Sequence, residues 1–229
     1  MIYDKKEFGL GVVLIAAFLA ALALIFAPLH SGGDNTLDYL DSTFNSISKA
    51  SAYYIPAVGA KAAEYDGLQA EADVKAGDAA QAERMAVLLR AAGTAVTIDG
   101  ARLRMSGDIG GVLRAAVADA DIMFRNDGAA IAEKYGFDGK RALYDWHQAF
   151  GAISKDLTRQ SRFKEAKMLR EVQGKAIEPA YNYYGIDAVP MSRMAWIALA
   201  ALAGYVAYTI WYGFAVMFLF EGWGLKLKH

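Results

Sequence analysis

The chain has 229 residues, and its 24 Lys and Arg side chains nearly balance 25 Asp and Glu side chains, for a formal net charge of −1. With no overall basic excess, we expect no nucleic-acid partner. The chain contains no cysteine, which excludes disulfides, thiolate metal sites and cysteine-ligated iron–sulfur clusters. Because only three histidines are present, we expect neither a multi-histidine metal site nor a bound cofactor.

Hydrophobic residues make up 55% of the chain. This share is high for a soluble protein and low for a membrane protein with many spans. It predicts one soluble domain attached to a few membrane-spanning segments.

The first predicted element is a membrane-spanning helix at residues 8–27. These residues carry no charge, and at about 1.5 Å per residue they reach roughly 30 Å, the thickness of the hydrocarbon core. The segment 1–7 before them is basic enough to suggest a signal peptide. However, the apolar run is longer than a typical signal-peptide core and ends without a clean small-x-small cleavage site. We therefore predict a retained anchor.

Helical spacing dominates the stretch that follows. Asp34–Thr36 supplies suitable N-cap residues, and Pro56 breaks the pattern within YYIPAVG. An Ala-, Glu- and Lys-rich segment at 57–92 then ends at Gly93, which suits a left-handed C-cap. The apolar residues that define the first of these helices recur at spacings of 3, 4, 3 and 7: Leu37, Leu40, Phe44, Ile47 and Tyr54.

A β-hairpin is predicted at residues 95–106. Asp99-Gly100 lies between two alternating runs, which is a strong short-range hairpin signal. A two-residue turn at this position would pair Ile98 with Ala101 and Val96 with Leu103. Val96, Ile98, Ala101, Leu103 and Met105 would share one face, which should pack on helices because an isolated hairpin is only marginally stable.

Two long helices are predicted after the hairpin. Asp108 is placed to cap a helix at 109–135, and a last helix runs over 138–178. The buried stripe of that last helix is marked at spacings of 4, 3 and 4 by Trp146, Phe150, Ile153 and Leu157.

A second membrane span is predicted at residues 194–220, followed by a tail at 221–229. The uncharged run is longer than a bilayer requires, which favours a tilted helix or one partly sheltered by protein. The fold class predicted from these elements is mainly α, with two transmembrane helices flanking an extracytoplasmic helical bundle that contains one small β-hairpin.

The charges that flank the two spans predict their orientation. Asp34, Asp38 and Asp41 follow the first span, and Arg193, before the second span, is the one contrary residue. The positive-inside rule places both termini in the cytoplasm and residues 28–193 outside a bacterial inner membrane. The basic residues on which this two-pass topology depends are Lys5, Lys6, Lys226 and Lys228.

Each predicted span carries a stripe that indicates contact with protein. Small residues allow close helix approach, and hydroxyl groups need partners in an apolar medium. We expect the first stripe to meet the second span or another subunit. The second stripe fits helix packing, or a quinone or lipid headgroup. The first consists of Gly9, Ala16, Ala20, Ala23 and Ala27, and the second of Tyr205, Tyr208, Thr209 and Tyr212.

Three tyrosines precede the second span, at Tyr181, Tyr183 and Tyr184. Aromatic side chains are enriched at membrane interfaces, so an interfacial belt is the simplest interpretation. The same side chains could also stack on a ligand or dock a partner.

Asp145 and His147 are the residues most suggestive of acid–base chemistry. Two residues that are two positions apart on a helix point about 200° apart, so these two cannot share a ligand. We therefore expect His147 to make ordinary hydrogen bonds. His30 lies at the predicted outer interface without a neighbouring carboxylate.

A locally basic stretch lies at 155–175, and an acidic one lies at 34–78. Solvated helix faces that attract each other across the bundle explain both stretches. A patch for anionic lipid or for an acidic partner is the alternative.

Motifs for nucleophilic catalysis, P-loops and dinucleotide binding are absent from the sequence. The segments 1–7 and 221–229 are too short to contain a kinase or DNA-binding domain. We therefore expect a non-catalytic accessory or scaffold subunit of a bacterial cytoplasmic-membrane complex. Its expected partners are other membrane subunits or further copies of itself, together with membrane lipids. The alternative is an extracytoplasmic sensing or ligand-binding module that signals through a separate membrane protein.

An enzyme would require at least two titratable groups that converge in a cleft. The residues around which we would expect this are Asp145, His147 and Glu178.

Overall fold

The computed structural model describes residues 2–29 and 33–225. The chain is mainly helical, with 72% helix and a small three-stranded sheet. His30, Lys226, Lys228 and His229 lie outside the described residues. The elements in chain order are α1 (Lys5–Phe26), α2 (Thr36–Ser51), α3 (Ile55–Ala62), β1 (Gln69–Lys75), α4 (Ala79–Ala91), β2 (Ala95–Asp99), β3 (Arg102–Asp108), α5 (Ile109–Phe124), α6 (Gly128–Tyr135), α7 (Gly139–Arg159), α8 (Phe163–Val172), α9 (Glu178–Asn182) and α10 (Met191–Gly222).

The chain forms two compact units. Met1–Ser48 and Ala188–His229 form the first, here called the long-helix unit. Lys49–Asp187 forms the second, here called the sheet unit. The predicted soluble region, 28–193, contains the whole of the sheet unit.

Helices α1 and α10 are long and apolar enough to cross a membrane, as the two uncharged runs predict. The N-cap of α1 is Asp4, whose carboxylate accepts hydrogen bonds from the backbone amides of Lys6 and Glu7. Such an N-cap satisfies amide donors that would otherwise lack partners in the first turn. Helix α10 begins directly after Pro190, which cannot donate a backbone hydrogen bond.

The predicted cap and the predicted break around α2 and α3 are confirmed, but Tyr54, which was predicted to belong to the first helix, lies beyond its end. The side chain of Asn35 accepts hydrogen bonds from the amides of Leu37 and Asp38, so Asn35 acts as the N-cap of α2. Pro56 lies in the first turn of α3, where its missing N–H leaves no bond unmade. The helix therefore ends at Ser51 and a new one begins at Ile55.

The predicted hairpin is present, but the predicted register is wrong, because the two-residue turn lies one residue further along the chain. Ile98 pairs with Leu103 and Val96 with Met105, rather than with Ala101 and Leu103. The loop is Gly100-Ala101, and Gly100 has φ of +59°. Glycine at the first central position is the requirement of a type II′ turn, whose twist matches the flanking strands. The predicted apolar face is otherwise kept, but Ala101, which was predicted to belong to it, lies in the turn.

Strand β1 was not predicted, because the sequence pattern assigned its residues to the segment 57–92. It pairs antiparallel with β3, which lies between β1 and β2 in the sheet. Alternate residues are buried, but Ala70 and Ala72 give a weak alternation signal. Because β1 and β2 each pair antiparallel with β3, the two outer strands run in the same direction. Helix α4 connects them.

The two long helices predicted over 109–135 and 138–178 are each interrupted. Asn126, with φ of +68°, separates α5 from α6, and Ser161, with φ of +63°, separates α7 from α8. Both residues adopt a left-handed conformation that usually favours glycine. Asn is one of the few other residues that enter this region readily, and Asp127-Gly128 follows it, whereas no glycine or proline lies beside Ser161. After α8, a π-helical turn at Gln173–Ile177 leads into α9.

The core of the sheet unit lies between the inner face of the sheet and the helices. The predicted stripe of α7 is fully buried at Trp146, Phe150, Ile153 and Leu157. Met105 of β3 and Met85 of α4 are equally buried. Asp108 caps α5 as predicted, and Gly93, with φ of +87°, follows the end of α4.

Candidate interaction sites

Helices α1 and α10 pack against each other through two glycines. A Cβ atom at Gly11 would lie 2.7 Å from the backbone nitrogen of Leu219, and one at Gly222 would overlap the backbone of Phe8. The helices therefore run antiparallel and approach too closely for larger side chains. This is the geometry that small residues permit between membrane helices.

The predicted small-residue stripe is not the face that α10 covers. Gly9, Ala16, Ala20 and Ala23 are exposed, and Ala27 is only partly buried. A Cβ atom at Gly9 would have no neighbour within 4 Å. Sequence analysis missed Gly11, which together with the buried Phe18 lies about 180° around the helix from this stripe.

The predicted hydroxyl stripe is divided between packing and exposure. The rings of Tyr208 and Tyr212 lie 4.5 and 5.2 Å from the ring of Phe18. The hydroxyl of Thr209 donates to the backbone carbonyl of Tyr205, 2.8 Å away, and the Tyr205 side chain is exposed. Two of the four residues thus contribute to helix packing, which was one of the two interpretations.

The three tyrosines that precede α10, at Tyr181, Tyr183 and Tyr184, lie at the end of the sheet unit. Tyr183 and Tyr184 pack against its core, and Tyr181 is exposed. The Tyr184 hydroxyl lies directly against Gly128, where any larger residue would displace it. The Nζ atom of Lys140 lies 4.9 Å from the centre of the Tyr181 ring. The interfacial belt remains a prediction.

Lys49 forms a buried clasp at the two ends of the sheet unit. Its ammonium donates to the side-chain carbonyl of Asn126 at 2.8 Å and to the backbone carbonyls of Tyr183 and Ile186 at 3.1 and 2.6 Å. Burial lowers the pKa of Lys49, and the negative charge of Asp187 partly offsets this shift. The first residue of the unit thereby holds its last segment in place.

Asp119 is the centre of a second buried cluster. Its fully buried carboxylate accepts hydrogen bonds from Lys134 at 2.7 Å, Tyr135 at 2.5 Å and the indole of Trp146 at 2.8 Å. Burial and the adjacent carboxylate raise the pKa of Tyr135, because both disfavour a phenolate there. The cluster joins α5, α6 and α7.

Asp145 and His147 point away from each other, as their spacing requires. The buried carboxylate of Asp145 accepts hydrogen bonds from Gln81 at 2.9 Å and Arg84 at 2.6 Å, which ties α7 to α4. His147 lies on the surface, where its Nε2 atom is 3.0 Å from a carboxylate oxygen of Glu178. Sequence analysis named Asp145, His147 and Glu178 as the residues around which titratable groups of an enzyme would converge, and the structure brings His147 and Glu178 together but not Asp145.

His147 and Glu178 lie in a cleft of about 180 Å³ between α7 and α9. We call it the α7–α9 cleft, and it is lined by residues at 143–148 and 177–182. Within the described ranges, no three His, Asp or Glu side chains group closely enough to hold a metal ion.

Three of the seven basic residues in the stretch 155–175 form ion pairs with acidic residues of the same stretch. Arg162 pairs with Glu165 at 2.8 Å, and Lys175 pairs with Glu171 at 2.9 Å. Glu171 also pairs with Lys61 at 2.8 Å. The pairs within this stretch are therefore local. Among the described residues, the ion pair that joins it to 34–78 is Lys61–Glu171, whose charges are the reverse of the attraction predicted between the two stretches.

Comparisons with protein-family models, with curated proteins and with solved structures find no match to this chain.

Proposed function

We propose that this chain is a non-catalytic, membrane-anchored accessory or scaffold subunit of a bacterial cytoplasmic-membrane complex. The observation that carries the proposal is the exposed stripe of Gly9, Ala16, Ala20 and Ala23 on α1. Lipid tails are as apolar as leucine, so membrane helices associate mainly by close packing, which small residues allow. Since α10 uses the opposite face, this stripe is free to accept a helix of another subunit.

The sheet unit supports a role as a stable docking body. Its buried charges at Lys49, Asp119 and Asp145 each have two or three hydrogen-bond partners. Fully satisfied polar groups of this kind make a fold rigid and specific. Because Lys49 holds the last segment, the two ends of the unit are fixed near each other, as a body tethered at both ends requires.

The proposed topology has both termini in the cytoplasm and residues 28–193 on the outer side. The absence of cysteine allows a direct test, because one introduced cysteine is the only thiol present. We expect a membrane-impermeant thiol reagent to label Ser106→Cys in intact cells. It should label Ile2→Cys only after the membrane is permeabilised. The reverse pattern would contradict the topology.

The partner contact is tested by filling the exposed stripe. Gly9→Leu combined with Ala16→Leu should remove partner subunits from complexes extracted in mild detergent and weighed by native mass spectrometry. Gly213→Leu is the matched control, because a Cβ atom there would also have no neighbour within 4 Å. Unchanged complexes in the stripe variant, or a chain that extracts alone in its native form, would contradict the proposal.

A sensing or ligand-binding module is the second candidate. The observation that favours it is the α7–α9 cleft, where two titratable side chains from different helices meet. A sensor would change its affinity for a membrane partner when the cleft is filled, whereas a scaffold would bind the partner equally with the cleft empty or filled. Native mass spectrometry with and without added ligand distinguishes these outcomes.

A further inference from the structure

The α7–α9 cleft is small and has an apolar floor. Its volume is about 180 Å³, and the buried side chains of Leu143 and Ile177 contribute to its lining. Drug-sized ligands usually occupy pockets of roughly 300–1,000 Å³. The space therefore suits a compact molecule of few atoms.

One part of the cleft carries a negative charge. In the tautomer with the proton on Nε2, His147 donates to one oxygen of Glu178, 3.0 Å away, and the carboxylate keeps its charge. The Glu178 side chain is 48% exposed, so its second oxygen remains accessible to a donor. An ammonium group is a compact charged donor, and its hydrogen bond to a carboxylate is roughly twice as strong as one between neutral groups.

A positive charge lies beside the same cleft. Tyr181 lines the cleft, and the Lys140 ammonium lies 4.9 Å from the centre of its ring. This cation would repel a ligand that carried only an ammonium group. It would attract a ligand that also carried an acidic oxygen group.

The remaining polar side chains of the cleft are neutral and available. The side chains of Gln148 and Asn182 line the cleft and are exposed. Neither side chain makes a hydrogen bond within the part of the chain that the structure describes. Amides can donate to an acidic oxygen or accept from an ammonium. They therefore complement a ligand of either charge without favouring one.

The position of Glu178 is set by the π-helical turn before it. In a regular α-helix, the ring of Pro179 would clash with the backbone carbonyl of Lys175. The π-helical turn at Gln173–Ile177 is wider than an α-helical turn and avoids this clash. The side chain of Gln173 donates to the backbone carbonyl of His147 at 3.1 Å. Such turns occur frequently at functional sites. This one attaches Glu178 to the helix that carries His147.

From these observations we infer that the α7–α9 cleft binds a small zwitterion, with its ammonium on Glu178 and its acidic oxygen group towards Lys140. A free amino acid and a phosphoethanolamine lipid headgroup share this chemistry. The inference does not depend on the proposed membrane partner, because every residue involved belongs to the sheet unit.

The test uses the full chain in detergent, labelled with ¹³C at histidine. Only three histidines are present, so His147→Gln assigns the His147 signal. The protein is titrated separately with L-alanine, with O-phosphoethanolamine, and with ethanolamine and acetate as the two single-charge halves. We expect saturable movement of the His147 signal with a zwitterion, at concentrations about tenfold lower than with either half.

Variants identify the groups that bind. Glu178→Gln and Lys140→Met should each weaken zwitterion binding about tenfold. Glu133→Gln and Lys167→Met should not, since both residues are exposed and make no ion pair among the described residues. Because all four side chains lie on the surface, unchanged thermal unfolding should confirm that each variant folds.

The outcomes separate the two sources and can overturn the inference. A response to L-alanine identifies a free amino acid, and a response to O-phosphoethanolamine alone identifies the lipid headgroup. No saturable response to either zwitterion would overturn the inference. Binding that survives both Glu178→Gln and Lys140→Met would also overturn it.

Discussion

The two units of this chain hold their helices together by different means. In the long-helix unit, α1 and α10 meet through Gly11, Gly222 and rings stacked on Phe18. The buried indole nitrogen of Trp211 has no hydrogen-bond partner among the described residues. In the sheet unit, buried carboxylates and a buried ammonium are each surrounded by donors or acceptors.

Two different solvents would produce this difference if α1 and α10 cross a membrane, as we propose. In water, apolar burial drives helices together, and polar groups that become buried must find partners inside the protein. Between lipid-facing helices this driving force is lacking, so shape decides which surfaces meet. We therefore expect the sheet unit to be sensitive to the loss of one charge, and the helix pair to be sensitive to added volume.

The largest expected effect is the loss of the Asp119 carboxylate. Asp119→Ala leaves Lys134, Tyr135 and Trp146 without their shared acceptor, and we expect the free energy of unfolding to fall by about 3–5 kcal/mol. Urea unfolding of the full chain in detergent, followed by circular dichroism, measures the change. Glu83→Ala, at an exposed position, should change stability by less than about 0.5 kcal/mol. Equal effects of the two variants would show that the buried carboxylate does not stabilise the sheet unit more than an exposed one does.

The next effect concerns the Lys49 clasp. Lys49→Met keeps the length of the side chain but removes the ammonium that donates to the carbonyls of Asn126, Tyr183 and Ile186, which leaves each carbonyl with one uncharged donor. We expect a loss of about 2–3 kcal/mol and faster proteolytic cleavage near residues 183–187. Limited proteolysis with mass spectrometry locates the cut. Lys167→Met is the control, and cleavage at the same rate in both variants would show that the clasp does not hold this segment.

Added volume should separate the two faces of α1. Gly11→Leu would collide with Leu219, and we expect it to weaken the α1–α10 pair by about 1–3 kcal/mol. Gly9→Leu, two residues away, meets no neighbour and should leave the pair intact. A thiol cross-linker between cysteines introduced at Leu14 and Phe218 would report the pairing in each background. Loss of cross-linking in Gly9→Leu would show that the packing face has been assigned incorrectly.

The sequence predicts elements whose signals are local. The caps at Asn35 and Asp108, the break at Pro56 and the apolar face of the hairpin depend on residues within one turn or one strand. Strand β1 is different, because alanines show little alternation and its partner β3 lies about 30 residues further along the chain. The left-handed residues differ from each other: Asn126 is a residue type that enters this conformation readily and bonds to distant residues, whereas the serine at Ser161 carries no such signal.

The candidate site depended on one of these breaks. A straight helix over 138–178 would place His147 and Glu178 about 46 Å apart, because they are separated by 31 positions and each position adds about 1.5 Å. The chain reversal at Ser161 brings them to 3.0 Å. The residue types were visible in the sequence, but their distance was not. The same holds for Gly9 and Gly11, because only the position of α10 decides which glycine is covered.

The smallest expected effect sharpens the comparison within the sheet unit, at an ion pair near its surface. Hydrogen bonds from Lys61 and Lys175 lower the pKa of Glu171 to about 2, from an ordinary value of 4.5. A carboxylate with a lowered folded-state pKa stabilises the fold above its unfolded pKa, and this contribution is lost as the pH falls towards 2. Both lysines are mostly exposed, so solvent screens the pair and the contribution should be far below that of Asp119.

Wild type should therefore be slightly more stable than Glu171→Gln at pH 6, and the difference should vanish as the pH falls from 4.5 to 2 in thermal unfolding. Glu133→Gln should show no such difference at any pH. A Glu171→Gln effect as large as that of Asp119→Ala would mean that burial does not decide which charges stabilise this unit.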